Sequence, residues 1–348
     1  MKRFLLLSSL AMFIIIGCNK HNFHYPSNIK QKNTTINNDY LYDEIYEIRD
    51  GKEIDLTHQQ VETKSSYKFY NITVMEPVYC FLGSVFKASS INDGEIAGIV
   101  GSSLFKDSIT VSFSLPISPI KVGINKSQTA IAINHAVHNK DFSGKQSQLF
   151  SYKMKNITHF SQIKIAFGAN VNIGDIFSID VNVNSGEVSG KTCLMADMSQ
   201  IYFSAYMDFP YDGNIFKTEE IRQKYLPYDP IYIGTLHYGR KAVLLAESSY
   251  SYKDLSVAIR SAFKAKIING ELSLDTKTKN ILTNTIIKIC IIGPSEEEAY
   301  ETINGFEEFQ EYVIKKGVYT NQSFGALISF SGIHASDNRA FYNKFNIN

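Results

Sequence analysis

The stretch DLSVAIRSAFKAK, residues 254–266, fits two backbone periods at once. At the helical period Leu255, Ala258, Ile259, Ala262 and Phe263 form one apolar stripe. At the strand period Leu255, Val257, Ile259, Phe263, Ala265 and Ile267 alternate with Ser256, Ala258, Arg260, Ala262, Lys264 and Lys266. Asn269-Gly270 follows and is a strong hairpin signal. Leu272, Leu274, Thr276 and Thr278 then alternate with Ser273, Asp275, Lys277 and Lys279. A two-residue turn there sets Ile267 opposite Leu272, Ala265 opposite Leu274 and Phe263 opposite Thr276. The other face pairs Lys266 with Ser273 and Lys264 with Asp275, so the hairpin has one apolar and one charged side.

Residues 177–194 carry the same pattern. Phe177, Ile179, Val181 and Val183 alternate with Ser178, Asp180, Asn182 and Asn184. A turn at Ser185-Gly186 places Val183 opposite Val188, Ile179 opposite Thr192 and Phe177 opposite Leu194. Arms of about 9–11 residues are the length of a tilted transmembrane strand. One apolar and one polar face is what a barrel wall needs, with lipid outside and water inside. Two such hairpins cannot close a barrel, so several subunits would have to supply them together. Ordinary amphipathic hairpins of a soluble sheet are the commoner use of this pattern. A segment that satisfies both periods is nevertheless a local conflict, and such conflicts tend to mark function.

Working outward, the pattern predicts strands over residues 67–74, 79–88, 109–115, 201–209, 285–292 and 326–333. Two apolar runs within 231–246 flank Tyr238-Gly239-Arg240. The run 285–292 is apolar but for Thr285 and Lys288 and reads as a strand buried on both faces. Helical spacing is present over 128–137. A second helix is predicted over 295–316. Ser295 and Glu298 would form its capping box, Glu296 to Glu298 would suit its N-terminal dipole, and Gly317 would follow its end. Its stripe would be Ala299, Ile303, Phe306, Phe309 and Val313.

The 348 residues are 44% hydrophobic and 20% charged, a composition that folds around a real core. A net charge of +1 excludes a broad cationic surface, so no nucleic-acid partner is expected. There are 21 Tyr and 23 Phe but no Trp. At the N-terminus Lys2 and Arg3 precede an apolar run over residues 4–16, too short to span a bilayer. It ends Ile15-Ile16-Gly17-Cys18, which resembles a bacterial lipobox and makes Cys18 the expected lipidation site. Loss of residues 1–17 removes two positive charges and takes the net charge from +1 to −1. Acyl chains, not charge, would then hold the chain to a membrane, each buried CH₂ contributing about 0.8 kcal/mol. The polar residues 19–38 read as a tether.

No enzyme chemistry is legible. Gly186 to Thr192 looks like a phosphate loop, but it has three residues between its glycines where four are needed. His135 and His138 share a helix face without a third ligand near in sequence, so no metal site is expected. Gly94, Gly98 and Gly101 have the wrong spacing for a dinucleotide loop, and no cofactor is expected. Cys80, Cys193 and Cys290 lack the spacing of a redox or metal pair.

These pieces resemble the cholesterol-dependent, or thiol-activated, cytolysins of the MACPF/CDC superfamily. SQIYFSAYMDFP at 199–210 is similar to that family's KQIYYTVSVD strand. Tyr238-Gly239-Arg240, followed by an apolar strand and Glu247-Ser248-Ser249, resembles its AYGR…KLETTS stretch. Ile291-Ile292-Gly293-Pro294 stands where the family has LGGD. Residues 327–330, continuing to Asp337-Asn338, resemble PISYTSVFLKDN, and 79–86 and 108–116 resemble YPGALL and ITIDLPG. The similarity keeps the family's order from Tyr79 to Asn338.

The resemblance implies an α+β fold: an elongated molecule with a twisted antiparallel central sheet flanked by two helix clusters that can become β-hairpins. Both double-reading segments lie where those clusters should be. The lipid faces would be Phe177, Ile179, Val181, Val183, Val188 and Leu194 in one hairpin, and Leu255, Val257, Ile259, Phe263, Ile267, Leu272 and Leu274 in the other. Gly293 and Pro294 would mark the bend that lets an edge strand leave the sheet, with one glycine where the family has two. The domain plan implied is a lipoprotein signal peptide at 1–17, a lipidated tether and start of the fold at 18–65, and a first-domain or stalk segment at 66–155. The pore-forming domain's first half follows at 156–210, another first-domain segment at 211–246, the second half at 247–322, and a closing strand with shortened stalk at 323–348.

The chain ends soon after Asp337-Asn338, so the family's Trp-rich receptor domain is not expected, nor is cholesterol binding. The short, lipidated CDC-like proteins of Gram-negative bacteria are the better comparison. They imply a pore-forming lipoprotein that oligomerises with itself or with a longer, receptor-bearing CDC-like partner, against other bacteria. Membrane lipid would be the other partner. The location implied is the cell envelope, lipid-anchored at the outer membrane or surface, with release by proteolysis. The alternative expectation is a non-lytic surface lipoprotein for adhesion, partner binding or pore inhibition.

Overall fold

The computed structural model describes residues 41–49, 52–57, 69–75, 79–94, 98–99, 102–140, 149–179, 188, 192–269, 273–293, 300–308, 324–345 and 347. The chain begins with β1 (Glu44–Arg49) and β2 (Lys52–Asp55), then β3 (Asn71–Thr73), β4 (Val85–Lys87), α1 (Ala88–Asn92) and β5 (Gly98–Ile99). Next come β6 (Ile109–Phe113), β7 (Ile120–Val122), α2 (Lys126–Val137) and β8 (Leu149–Asn156). Short helices α3 (Lys164–Phe167) and α4 (Ile173–Phe177) precede β9 (Thr192–Met207) and α5 (Glu219–Tyr225). The remainder is β10 (Pro230–Ser248), α6 (Tyr252–Asn269), α7 (Thr276–Thr283), β11 (Ile286–Ile292), β12 (Tyr300–Asn304) and β13 (Ala326–His334).

The main sheet runs β12-β11-β10-β9-β8-β1-β2, and every neighbouring pair in it is antiparallel. β9 and β10 are its spine, paired from Thr235↔Tyr206 to Ser248↔Thr192. Both faces of this spine are buried. Cys193, Met195, Val243, Leu245, Cys290 and Ile292 lie in one core with Ile173, Ile176 and Phe177 of α4. Leu194, Ala196, Met198, Ala242, Leu244, Ala246, Ile289 and Ile291 lie in the other, under Leu255, Ile259 and Phe263 of α6 and Ile281 and Leu282 of α7. Two-sided burial explains why 242–246 and 289–292 read as continuous apolar runs.

Four expectations are refined or corrected. The strands read at 201–209 and within 231–246 are parts of the longer β9 and β10. The strand read at 79–88 shrinks to β4, because Gly83 turns the chain at φ +79° and α1 opens at Ala88. The helix read at 295–316 is overturned at Tyr300–Asn304, which is β12, paired with β11 from Ile292↔Tyr300 to Lys288↔Asn304. Tyr, Thr and Ile suit a pleated edge, and the unpaired side of β11 supplies partners that outweigh a helix-capping signal. Its capping box, Phe309 and Val313 lie outside the described residues. The pair β1–β2, not foreseen, extends the sheet beyond β8.

His237 sits on β10 with Nδ1 2.8 Å from the Ser204 hydroxyl and Nε2 3.5 Å from that of Ser331. Burial pushes its imidazole down to about 4. Since the folded value lies below the unfolded one near 6.5, the unfolded chain takes up the proton first. Stability is therefore full above about pH 6.5 and declines as pH falls to about 4, by on the order of 3 kcal/mol. Urea melts at pH 7.5 and 4.5 check this, and His237→Gln should flatten the difference.

Candidate functional site

α6 shows how the double reading is resolved in this conformation. Ser251 caps it, accepting from the Asp254 N–H at 3.2 Å while its hydroxyl donates to the Asp254 carboxylate at 2.6 Å. Leu255, Ile259 and Phe263 follow at i, i+4 and i+8 and are fully buried against the sheet. Val257 lies two residues on from Leu255, about 200° round the helix, and is 52% exposed. The strand-period face is thus split. Asp275 caps α7, accepting from the Thr278 N–H at 2.9 Å, where alternation had suggested a second arm. Leu274 packs partly buried in the same core. Ile267 lies within α6, and Leu272 lies outside the described residues.

The other segment is anchored to the opposite core. Phe177 ends α4 and is fully buried, and Ile179 and Val188 are half-buried against the same core. Leu194 is already a β9 residue, buried on the α6 side and paired with Asn156 and Ala246. Val181, Val183, Pro294 and Cys18 lie outside the described residues. Two side chains tie α4 to the far edge of the sheet. Lys288 Nζ on β11 donates to the Phe177 and Ser178 carbonyls at 2.9 Å each, and Thr302 Oγ1 on β12 donates to the Ile176 carbonyl. A cation suits this helix C-terminus.

α6 is held from the other edge. Arg260 donates from Nε to Glu53 Oε1 at 2.9 Å, makes a second contact to the same oxygen through Nη2, and donates from Nη1 to the Tyr46 hydroxyl at 3.1 Å. The Tyr152 hydroxyl donates to Glu53 Oε2 at 2.6 Å. The Glu53 side chain is only 5% exposed. Burial raises its pKa, but hydrogen bonds from Arg260 and Tyr152 and the nearby positive charges outweigh that and hold it below its usual value. Burial and then Glu53 push the Tyr152 hydroxyl up. Of these residues the sequence reading named only Arg260, as a polar-face residue of the strand pattern. The available signal was Asp50-Gly51 between two short alternating runs, a hairpin dipeptide that the Arg49↔Lys52 register agrees with.

The motif Tyr238-Gly239-Arg240 sits where β10 exchanges one neighbour for another. β13 pairs with it up to Gly239 and β11 from Lys241 onward. A Cβ on Gly239 would lie 2.0 Å from the Gln200 carbonyl oxygen, so only glycine fits that bulge. Gly293, at φ +64°, ends β11 against Ala326, whose Cβ would be 2.3 Å from a Cβ at 293. Tyr238 stacks on Phe203 at 5.0 Å, and Arg240 Nε donates to Gln200 Oε1 at 2.7 Å. These residues shape the junction where the bend was expected. Among the described residues no cluster could hold a metal ion, and no helix is long and apolar enough to cross a membrane.

Residues 106–344 match the thiol-activated cytolysin family. Pneumolysin of Streptococcus pneumoniae serotype 4 is 28% identical over 187 residues, covering 51% of this chain and 38% of the toxin. Ivanolysin of Listeria ivanovii is 26% identical over 256 residues, covering 67% of this chain and 47% of the toxin. The matches thus span less than half of these relatives. Among solved structures, intermedilysin is similar at a TM-score of 0.62 and 21% identity, over 81% of this chain and 62% of that one. Listeriolysin O is similar at 0.63 and 20%, over 81% and 60%. Both show the same fold.

Proposed function

The chain belongs to the thiol-activated cytolysin family, and from that premise we propose that it is a pore-forming subunit whose residues 157–193 and 249–285 refold into two membrane-spanning hairpins. One observation carries the reading. Only three residues separate β10 from α6, and two separate α7 from β11, so unwinding these helices prolongs two strands that are already paired. Continued past Glu247↔Ile286, the β10–β11 register pairs Val257 with Thr276 and Ile259 with Leu274. Continued past Asn156↔Leu194, the β8–β9 register turns the other hairpin at Gly174 to Ile176. It pairs Phe177 with Ile173, Ile179 with Val171, Val181 with Ala169 and Val183 with Phe167.

By strand alternation all of these residues continue a single face of the sheet, the one bearing Cys193, Met195, Val243, Leu245, Cys290 and Ile292. Leu255 and Phe263 fall on it too, while Asp180, Asn182, Arg260 and Lys264 fall on the other. Hairpins from two separate segments would therefore present one apolar surface to lipid and one polar surface to the lumen, as a shared barrel requires. In this register Val188 and Leu194 move to the lumen side, the first hairpin turns at Gly174 to Ile176 instead of Ser185-Gly186, and the second turns at Lys266-Ile267 instead of Asn269-Gly270, which places Ile267 in the turn.

The anchor we propose is lipid on Cys18, supported by the lipobox-like Ile15-Ile16-Gly17-Cys18. A longer, receptor-bearing relative as co-assembling partner and other bacteria as the target are supported by likeness to the short CDC-like proteins. The test is dye leakage from liposomes, with the chain tethered to nickel-chelating lipid by an N-terminal hexahistidine and the membranes imaged for rings. Leakage with rings is expected from the chain alone or with a longer family member added; dense surface binding without either, in both cases, would overturn the reading.

A further inference from the structure

We infer that the N-terminal hairpin β1–β2 is an internal lock that covers the pairing edge of β8 and clamps α6 in its helical state, so that both are freed by one event. β1 pairs with β8 from Glu44↔Met154 to Ile48↔Phe150. The cover reaches the end of the strand, because the Asp43 N–H donates to the Met154 carbonyl at 2.9 Å and the Asn156 N–H donates to the Asp43 carboxylate at 2.7 Å. The outer edge of β8 is therefore occupied along 150–156 and cannot accept a strand from a second copy.

The hairpin and Tyr42, two residues before β1, together hold both faces of the sheet. On one face the Tyr42 hydroxyl donates to Asp197 at 2.9 Å, beside the buried Asp197–Lys241 ion pair between β9 and β10. On the other, Glu53 receives Arg260 of α6 and the Tyr152 hydroxyl of β8, with Lys264 at 4.0 Å. The Arg260 guanidinium lies 4.1 Å over the Tyr46 ring. Tyr46 in turn stacks on Tyr152 at 5.1 Å, and Tyr152 meets Phe263 of α6 at 5.0 Å.

α6 leaves the sheet only by breaking the Arg260 contacts to Glu53. These bonds reach a carboxylate that is 5% exposed while α6 is seated, so breaking them costs more than breaking an exposed pair. If the hairpin lifts away, Glu53 reaches water, Arg260 is released, and the β8 edge opens in the same step. At the far end of the sheet β12 covers the outer edge of β11. β12 and β1–β2 thus guard the two edges, and each also holds one of the two refolding segments.

The inference rests on the pore-forming reading, but it can be tested apart from it. In Glu53→Gln, hydrogen exchange of the α6 amides should rise at least about tenfold while α2 stays unchanged. Unchanged α6 exchange would overturn the lock. Glu47 and Ser151 are register partners across β1 and β8, so Glu47→Cys with Ser151→Cys gives a reducible staple that leaves Glu53 and Arg260 in place. Oxidised, it should slow exchange in α6 below that of the reduced form and block leakage, which dithiothreitol restores. Equal α6 exchange, or equal leakage, in the two forms would overturn the lock. Absence of leakage in both forms would instead count against the pore, and exchange would still decide the lock.

Discussion

Val257→Lys leaves the folded chain as stable as the parent and abolishes leakage. Val257 is 52% exposed on α6, so a lysine there keeps its charge in water, and the change in stability should stay within about 0.5 kcal/mol. In the refolded hairpin the same position faces lipid between Leu255 and Ile259. A lysine near the bilayer midplane costs about 2–4 kcal/mol per strand, and every subunit of a ring would carry it. The flanking positions make poorer tests, since Leu255 and Ile259 are fully buried in the folded state and a charge there would unfold the helix first. Ile131 on α2 is the control, being 57% exposed and far in sequence from either segment. Ile131→Lys should melt and leak like the parent. A leaking Val257→Lys protein would remove α6 from the barrel wall.

Thr302→Cys should act as a switchable block. Thr302 of β12 is the register partner of Cys290 on β11. Opposed residues of an antiparallel pair have Cα atoms about 4.5–5.5 Å apart, within the range a disulfide spans. Burial pushes the Cys290 thiol up to about 12, so air oxidation will be slow and a diamide-type oxidant is needed. Once formed, the bond pins β12 to β11 and closes that edge to a second copy. Leakage should fall at least about a hundredfold and return on reduction, since edge pairing needs a free strand. If the oxidised protein leaks as fast as the reduced one, β12 need not leave β11 and the edge account fails.

The sequence made some parts of this plain and hid others for physical reasons. Residues 254–266 declared both their periods, and the helix prevails here because Leu255, Ile259 and Phe263 reach one core together while the strand face would need a partner arm. The long strands β9 and β10 were visible only in pieces, since burial on both faces erases alternation around Ala242 to Ala246. β12 was masked by Ser295 and Glu298, a local capping signal that the open side of β11 overrode. The Glu53–Arg260 clamp joins residues 207 apart in sequence. No local pattern announces such a pair, although Asp50-Gly51 marked the hairpin that carries Glu53. The register of the refolded hairpins was likewise illegible, because Ser185-Gly186 and Asn269-Gly270 are attractive turns in isolation. Only the pairings of β8 with β9 and of β10 with β11 fix which residues face one another.

In the proposed pore, residues 255–263 exchange a helical period for a strand period on the membrane. Single cysteines placed in turn at these positions and labelled with a nitrobenzoxadiazole dye would read it directly. In solution, emission should follow the helix, blue-shifted at 255, 259 and 263 and water-like at 257. On rings tethered to liposomes it should alternate at every second residue, with 255, 257, 259, 261 and 263 in lipid and 256, 258, 260 and 262 in water. A helical pattern that persists on membranes carrying assembled rings would contradict the account.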